Sequence, residues 1–238
     1  MQAAVLRAQL GSALGKRIPS PFTDLDQRVP ESVPTGIVPL DAQTGGLPRG
    51  AITEIYGARS SGRTSAMVSI LSEATACDEV CALVDGTDTF DPKSGLDAGL
   101  DLKRLLWVRC HKLEQVLKAT DLLLQGGGFG RVVMDLTDLP LPHIRSISPA
   151  SWFRFQRAIE KTPTVLVVMS PEGIVKSAAA LVLRLEMLRA DWSTLLTGLN
   201  ASFEILRSRR KHGVGADLGT HPEFLKYRIR GASPDLLK

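Results

Sequence analysis

Residues 57–64 read Gly-Ala-Arg-Ser-Ser-Gly-Arg-Thr. This is the spacing of a phosphate-binding loop, Gly-x4-Gly-Lys-Ser/Thr, with arginine in the place of the lysine. Such a loop points backbone N–H groups at phosphate oxygens. It then runs into a helix N-terminus, where free N–H groups and the helix dipole favour anions. Gly57 and Gly62 suit backbone turns and close approaches that a Cβ would block. Ala58, Arg59, Ser60 and Ser61 lie between them and Ser65 follows, so the candidate nucleotide site spans residues 57–65. Arg63 is placed to reach the β- and γ-phosphates, and Thr64 to offer its hydroxyl to Mg²⁺. A second element fits the same chemistry. Arg131-Val132-Val133-Met134-Asp135 is an apolar strand ending in a carboxylate, and Asp135 could hold Mg²⁺ through water. Each signal has a plain alternative: a glycine-rich surface turn for the first, an incidental Asp after a strand for the second.

The elements that must position these groups follow from periodicity. Residues 51–56 form a short apolar run feeding the loop, and residues 64–76 carry Met67, Ile70 and Leu71 at helical spacing. Further strands are expected at Val80–Val84, Leu105–Val108, Val132–Met134 and Thr164–Met169, and helices at Leu113–Gln125 and Ser151–Lys161. Apolar runs separated by helices point to an α/β fold, with a mostly parallel sheet flanked by helices. After Met169 the pattern changes. Leu181–Leu185 and Phe203–Leu206 read as strands with no long helix between them, which implies antiparallel C-terminal strands. Residues 1–16 suit a short amphipathic helix, and residues 17–34 contain four prolines and read as a linker. The expected organisation is therefore 1–34 as helix and linker, 35–212 as core, and 213–238 as an irregular tail.

Composition sets the class. The chain has 238 residues, 44% hydrophobic and 23% charged, ordinary for a soluble globular protein with one sizeable core. It contains no run long enough to span a membrane, and Arg7, Gln9 and Lys16 interrupt any signal-peptide core. Cys77, Cys81 and Cys110 are odd in number. Cys77 and Cys81 lack a second ligand pair at metal spacing, so reduced thiols are the expectation. These features favour the cytoplasm and give no membrane partner. The formal net charge is +4, but Arg207, Arg209, Arg210 and Lys211 form a compact basic run. It is a candidate contact for DNA or another acidic partner, with a solvated strand end as the alternative. Trp107, Trp152 and Phe153 could stack bases, but read first as core residues.

Residues 35–135 resemble the bacterial RecA recombinases. Thr35-Gly36-Ile37-Val38-Pro39-Leu40-Asp41 looks like the opening of the RecA core, and Gly45 to Gly57 is similar to that family's run into the phosphate loop. Cys81-Ala82-Leu83-Val84-Asp85, then Asp91-Pro92, and Gly99-Leu100-Asp101 through Leu106 are RecA-like as well. The resemblance implies a RecA-like P-loop core, ATP and Mg²⁺ as cofactors, and Asp91 as part of the nucleotide site.

Departures from the family pattern bear on activity. Thr87 stands where RecA has the glutamate that activates water, and a hydroxyl cannot be that base at neutral pH. Asp88 is the neighbouring carboxylate and the one candidate to substitute. Ser94 replaces an aromatic that stacks on adenine, and Ser170 replaces a nucleotide-sensing glutamine that leads into a DNA-binding loop. Arg63 keeps the lysine's charge in a larger, forked group. Within the RecA-like group the chain looks most like ImuA-type mutasome accessory proteins. The residues that carry this are Leu6–Leu10, Arg104–Cys110, the shortened region after Ser170 and Phe203–Lys211. That resemblance implies a DNA-damage-response (SOS) accessory factor for error-prone translesion synthesis, with weak or no ATP hydrolysis. Its partners would be single-stranded DNA and Y-family-like or error-prone polymerase components. The N-terminal helix would either dock on a neighbouring subunit or pack on its own core. Two other readings stay open: an active DNA-dependent ATPase or recombinase, and a DNA-binding protein that no longer uses nucleotide.

Overall fold

The computed structural model describes residues 31–192, 196–209 and 224–225. The helix expected at 1–16, nearly all of the linker, Arg210, Lys211 and most of the tail lie outside the described residues. In chain order the strands are β1 (Ser32–Val33), β2 (Leu47–Pro48), β3 (Ile52–Gly57), β4 (Cys81–Asp85), β5 (Leu105–Arg109), β6 (Arg131–Asp135), β7 (Val165–Ser170), β8 (Ala179–Trp192), β9 (Leu196–Ser208) and β10 (Phe224–Leu225). The helices are α1 (Val38–Thr44), α2 (Arg63–Ala76), α3 (Pro92–Asp97), α4 (Leu113–Gly126), α5 (Leu141–Arg145) and α6 (Pro149–Ile159).

The main sheet has eight strands in the order β10-β9-β8-β3-β7-β6-β4-β5. The ladders from β8 through β5 are parallel, and β9 and β10 add antiparallel at one edge. The α/β reading and the antiparallel C-terminal strands therefore hold. The parallel strands are continuous apolar runs because both faces are covered. Side chains alternate across β6: Val133 faces the layer with Ile55, Met67 and Ile70 of α2, whereas Val132 and Met134 face the layer with Val116 of α4 and Phe155 of α6. Asp85 and Asp135 are register partners at the carboxyl ends of β4 and β6. That is the end of a parallel sheet where ligands bind.

Two local features depart from the periodicity reading. The helix expected at Ser151–Lys161 starts earlier, because Ser148 accepts from the Ser151 N–H at 3.3 Å and Pro149 opens the first turn. Beyond Leu185 the β8–β9 hairpin runs on to Trp192, well past the two short strands expected there.

Cys77 is exposed, while Cys81 and Cys110 are buried. No group of three or more His, Cys, Asp or Glu side chains able to hold a metal occurs among the described residues. Burial pushes the Cys81 thiol up to about 12, and pushes Cys110 up as well. Thiolate is the reactive form. A disulfide reagent at pH 8 should therefore modify Cys77 quickly in the native protein, and the other two only after denaturant is added. Equal rates for all three native thiols would contradict this burial.

Candidate nucleotide-binding site

The chain leaves β3 at Gly57, where an added Cβ would lie 2.3 Å from the Leu185 carbonyl oxygen and 2.6 Å from Ser61 Oγ. Only glycine lets the loop turn back this tightly against β8. The turn closes with the Ser61 N–H donating to the Ala58 carbonyl at 3.2 Å. Ser60 (φ 61°) and Gly62 (φ 92°) adopt left-handed backbone, and Arg63 begins α2. Gly62 is the N-cap, so no side chain caps the helix. The first-turn N–H groups therefore need another acceptor.

Two side chains in the loop are in the same position. Ser61 is 2% exposed and Arg63 is 6% exposed, and among the described residues neither Ser61 Oγ nor Arg63 Nη1 has a hydrogen-bond partner. Burial pushes the Arg63 guanidinium below its ordinary value. The Asp135 and Asp138 carboxylates oppose that, and Arg59 adds to it. Arg59 itself is exposed and pairs with Asp138 at 3.5 Å. Buried donors without acceptors are costly. An oxyanion at this loop is the chemistry that would satisfy them.

Thr64 is exposed and Ser65 half-buried in the first turn of α2. Both line a groove of about 470 Å³ together with Ser69, Ser72, Glu73 and Ser94. Ser69, Ser72 and Glu73 were not foreseen as site residues. The available signal was their spacing from Ser65, which puts a hydroxyl stripe on one helix face. Ser94 lies on this wall because its hydroxyl donates to Asp91 Oδ2 at 2.5 Å. Asp91 caps α3, accepting also from the Lys93 and Ser94 N–H groups, and the Ser94 hydroxyl foremost holds its carboxyl below the usual range.

Asp135 is 8% exposed and accepts from the Thr137 N–H at 2.9 Å. Burial pushes its carboxyl up, against the hydrogen bonds from Thr137. A hydroxyl on Thr64 and a carboxylate on Asp135 are hard oxygen donors of the kind Mg²⁺ takes, with water completing its shell. Thr64 and Asp135 thus supply donor types that a nucleotide-bound Mg²⁺ would take.

Asp85 builds the adjacent loop. Its carboxylate, fully buried, accepts from the N–H groups of Thr87, Thr89 and Phe90 and from Trp107 Nε1. Asp88 stands on this loop with φ 58°. Arg109 grips it with two hydrogen bonds of 2.5 Å and holds its carboxyl below the usual range, while the guanidinium lies over the Trp107 ring. Ser170 is buried at the end of β7 and donates to the Glu172 carbonyl at 2.8 Å. Arg207 and Arg209, at the end of β9, donate to the carbonyls of Lys176 and Ser177. Among the described residues no hydrogen bond or ion pair links these two arginines to the phosphate loop.

The family model for the RecA N-terminal domain matches residues 8–144, more than half of the chain. The chain belongs to the RecA N-terminal domain family. The RecA match covers the phosphate loop, Asp85, Asp88, Asp91 and Asp135, and stops within α5. The RecA protein of Symbiobacterium thermophilum is 36% identical over 137 residues, covering 57% of this chain and 38% of that protein. RecA of Brucella anthropi is 40% identical over 107 residues, covering 44% and 30%. RecA of Frankia alni is 34% identical over 131 residues, covering 54% and 38%. The chain thus spans about a third of the length of these RecA relatives. No helix among the described residues is long and apolar enough to cross a membrane.

Proposed function

We propose that this RecA-family chain is a DNA-damage-response accessory factor of the ImuA type. It would bind nucleotide at residues 57–65 and act in error-prone translesion synthesis with little or no ATP hydrolysis. The observation that carries the nucleotide half of this reading is the pair of buried, unpartnered donors, Ser61 Oγ and Arg63 Nη1, in a loop that opens an uncapped helix. ATP with Mg²⁺ would supply the phosphate oxygens and the cation. Arg63 would meet the phosphate charge, and Thr64 and Asp135 would hold the metal.

The hydrolysis half rests on the base. Thr87 has no titratable group near neutral pH, and Asp88 is already committed to Arg109. A carboxylate held below its usual range by a guanidinium is a weak acceptor for water's proton. Losing a general base costs roughly 10²–10⁴-fold in rate. Under the same proposal, DNA and polymerase components are the partners and the cytoplasm is the compartment. The core is 35–212, with flanks 1–34 and 213–238. Residues 1–16, outside the described residues, would serve self-association.

Calorimetry with Mg²⁺ should show saturable ATP binding. Steady-state phosphate release should stay at background with or without single-stranded DNA, and Asp88→Asn should leave it there. DNA-stimulated turnover that Asp135→Ala removes would replace this proposal with the DNA-dependent ATPase. Absence of ATP binding would leave the nucleotide-independent DNA-binding protein.

A further inference from the structure

The groove beside the phosphate loop runs on along α2, where Ser65, Ser69, Ser72 and Glu73 line it. One wall is the Thr35–Gly36 turn. Asp41 Oδ1 accepts from the N–H and the hydroxyl of Thr35, at 2.8 Å each, and the Thr35 carbonyl accepts from Ser69 Oγ at 3.1 Å. Gly36 (φ 76°) lies so close to α2 that an added Cβ would be 2.9 Å from Ser69 Oγ and 3.3 Å from Glu73 Cβ. The other wall is Ser94, Ala98 and Gly99. It is tied to α2 by the Asp101 N–H, which donates to Thr75 Oγ1 at 3.2 Å. Small residues on both walls leave the groove its volume of about 470 Å³. One end opens at Thr64, next in the chain to the unpartnered Arg63. Towards the other end stands Glu73, eight residues beyond Ser65 and so about 12 Å further along the helix. Glu73 is half-buried and accepts from the Cys77 thiol at a long 4.0 Å. Arg131 pairs with Glu79 instead, and Glu73 forms no ion pair among the described residues.

We propose that this groove takes the nucleoside half of the bound nucleotide and that Glu73 makes guanine the preferred base. The inference rests on the nucleotide reading above, which places phosphate at residues 57–65. The 12 Å or so between the first turn of α2 and Glu73 leaves room for a ribose between phosphates and base. A carboxylate accepts hydrogen bonds and cannot donate them, and its two oxygens suit a pair of parallel N–H groups. The Watson–Crick edge of guanine carries such a pair, N1–H and the N2 amine. Adenine sets the N1 lone pair beside its amine, and cytosine likewise places an acceptor next to its amine. Uracil flanks its single N–H with two carbonyls. Each of these bases turns at least one acceptor towards the carboxylate, and a site built for donors rejects a ligand that lacks them. Val68 and Ala98 supply apolar contact for the ring.

The test is titration calorimetry of the full chain with GTP, inosine triphosphate and ATP, each with Mg²⁺. GTP should bind roughly ten- to hundredfold tighter than ATP, the worth of a hydrogen bond to a charged group. Inosine triphosphate lacks the N2 amine and should fall between them. This comparison uses the unaltered protein, so it does not depend on the folding of a variant. Glu73→Ala should bring GTP down to the level of ATP and leave ATP where it was. Arg63→Ala should weaken GTP and ATP alike, which separates the loop from the groove. Wild-type protein that binds GTP no better than ATP overturns the guanine assignment and leaves the loop reading standing. A preference for GTP that survives Glu73→Ala overturns the role of Glu73. If none of the three nucleotides binds, the loop reading falls and this inference with it.

Discussion

Arg63→Ala is expected to lower ATP affinity by about tenfold to a hundredfold without lowering the melting temperature of the unliganded protein. Hydrogen bonds to charged groups contribute about 1.5–3 kcal/mol each, and 1.4 kcal/mol is a factor of ten in binding. The guanidinium sits beside the loop with an unpartnered nitrogen, so its donors are already desolvated and pay little of that cost again on binding. In the free protein the same group is a liability. It is nearly buried, burial pushes its pKa down, and no carboxylate lies within ion-pair distance among the described residues. Removing it takes away both the packing of the stem and an unpaired buried charge, and these offset each other. Arg63→Lys should retain binding, because an ammonium supplies a point charge on a shorter stem. Calorimetry on the three proteins, with melting curves alongside, checks both halves. An Arg63→Ala protein that binds ATP like the wild type would show that the arginine does not meet phosphate.

How much of this was legible in the sequence depends on the range of the signal. Strands β3 to β7 were placed to within a residue or two, because a strand covered on both faces reads as an unbroken apolar run. Helix α4 was clear from periodicity. Helices α1, α3 and α5 were not, since each is shorter than two full turns and carries proline in its first turn, which reads first as a loop marker. The hairpin beyond Leu185 was underestimated because Gly198 and Asn200, poor strand formers, break the signal in its returning strand. At the site, the loop was visible because its glycine spacing is local. The engagement of Asp88 was not, because Arg109 comes from another strand 21 residues on. Glu54 was passed over as one letter in a strand. A lone carboxylate buried in β3 must have a partner, but only the fold shows that the partner is the backbone N–H groups of Ile174 and Val175.

The same reasoning about buried charge gives the largest expected loss of stability, at Glu79→Ala. Arg131 opens β6 with its side chain 1% exposed. It donates to the Ile70 carbonyl in α2, and its Nε lies 3.6 Å from Glu79 Oε2. Glu79 also pairs with Arg49 at 2.5 Å, so one carboxylate serves two guanidiniums. Burial pushes Arg131 down and Glu79 is the main opposing charge. Breaking a buried pair from one side leaves the other charge uncompensated, at a cost of about 3–5 kcal/mol. The long 3.6 Å contact and the residual exposure of Glu79 place this case at the lower end. About 3 kcal/mol is still a large part of the roughly 5–15 kcal/mol by which a domain is stable. Arg131→Met should cost far less, because it removes the charge together with its desolvation penalty, while Glu79 keeps Arg49. The double variant Glu79→Ala/Arg131→Met should then recover most of the loss. Urea midpoints for the four proteins measure the coupling directly. If Arg131→Met proves as damaging as Glu79→Ala, the guanidinium acts through its bond to Ile70 and its packing rather than through the pair. The distinction bears on the site, since Arg131 fixes the start of the strand that ends at Asp135 and ties it to the helix that begins at Arg63.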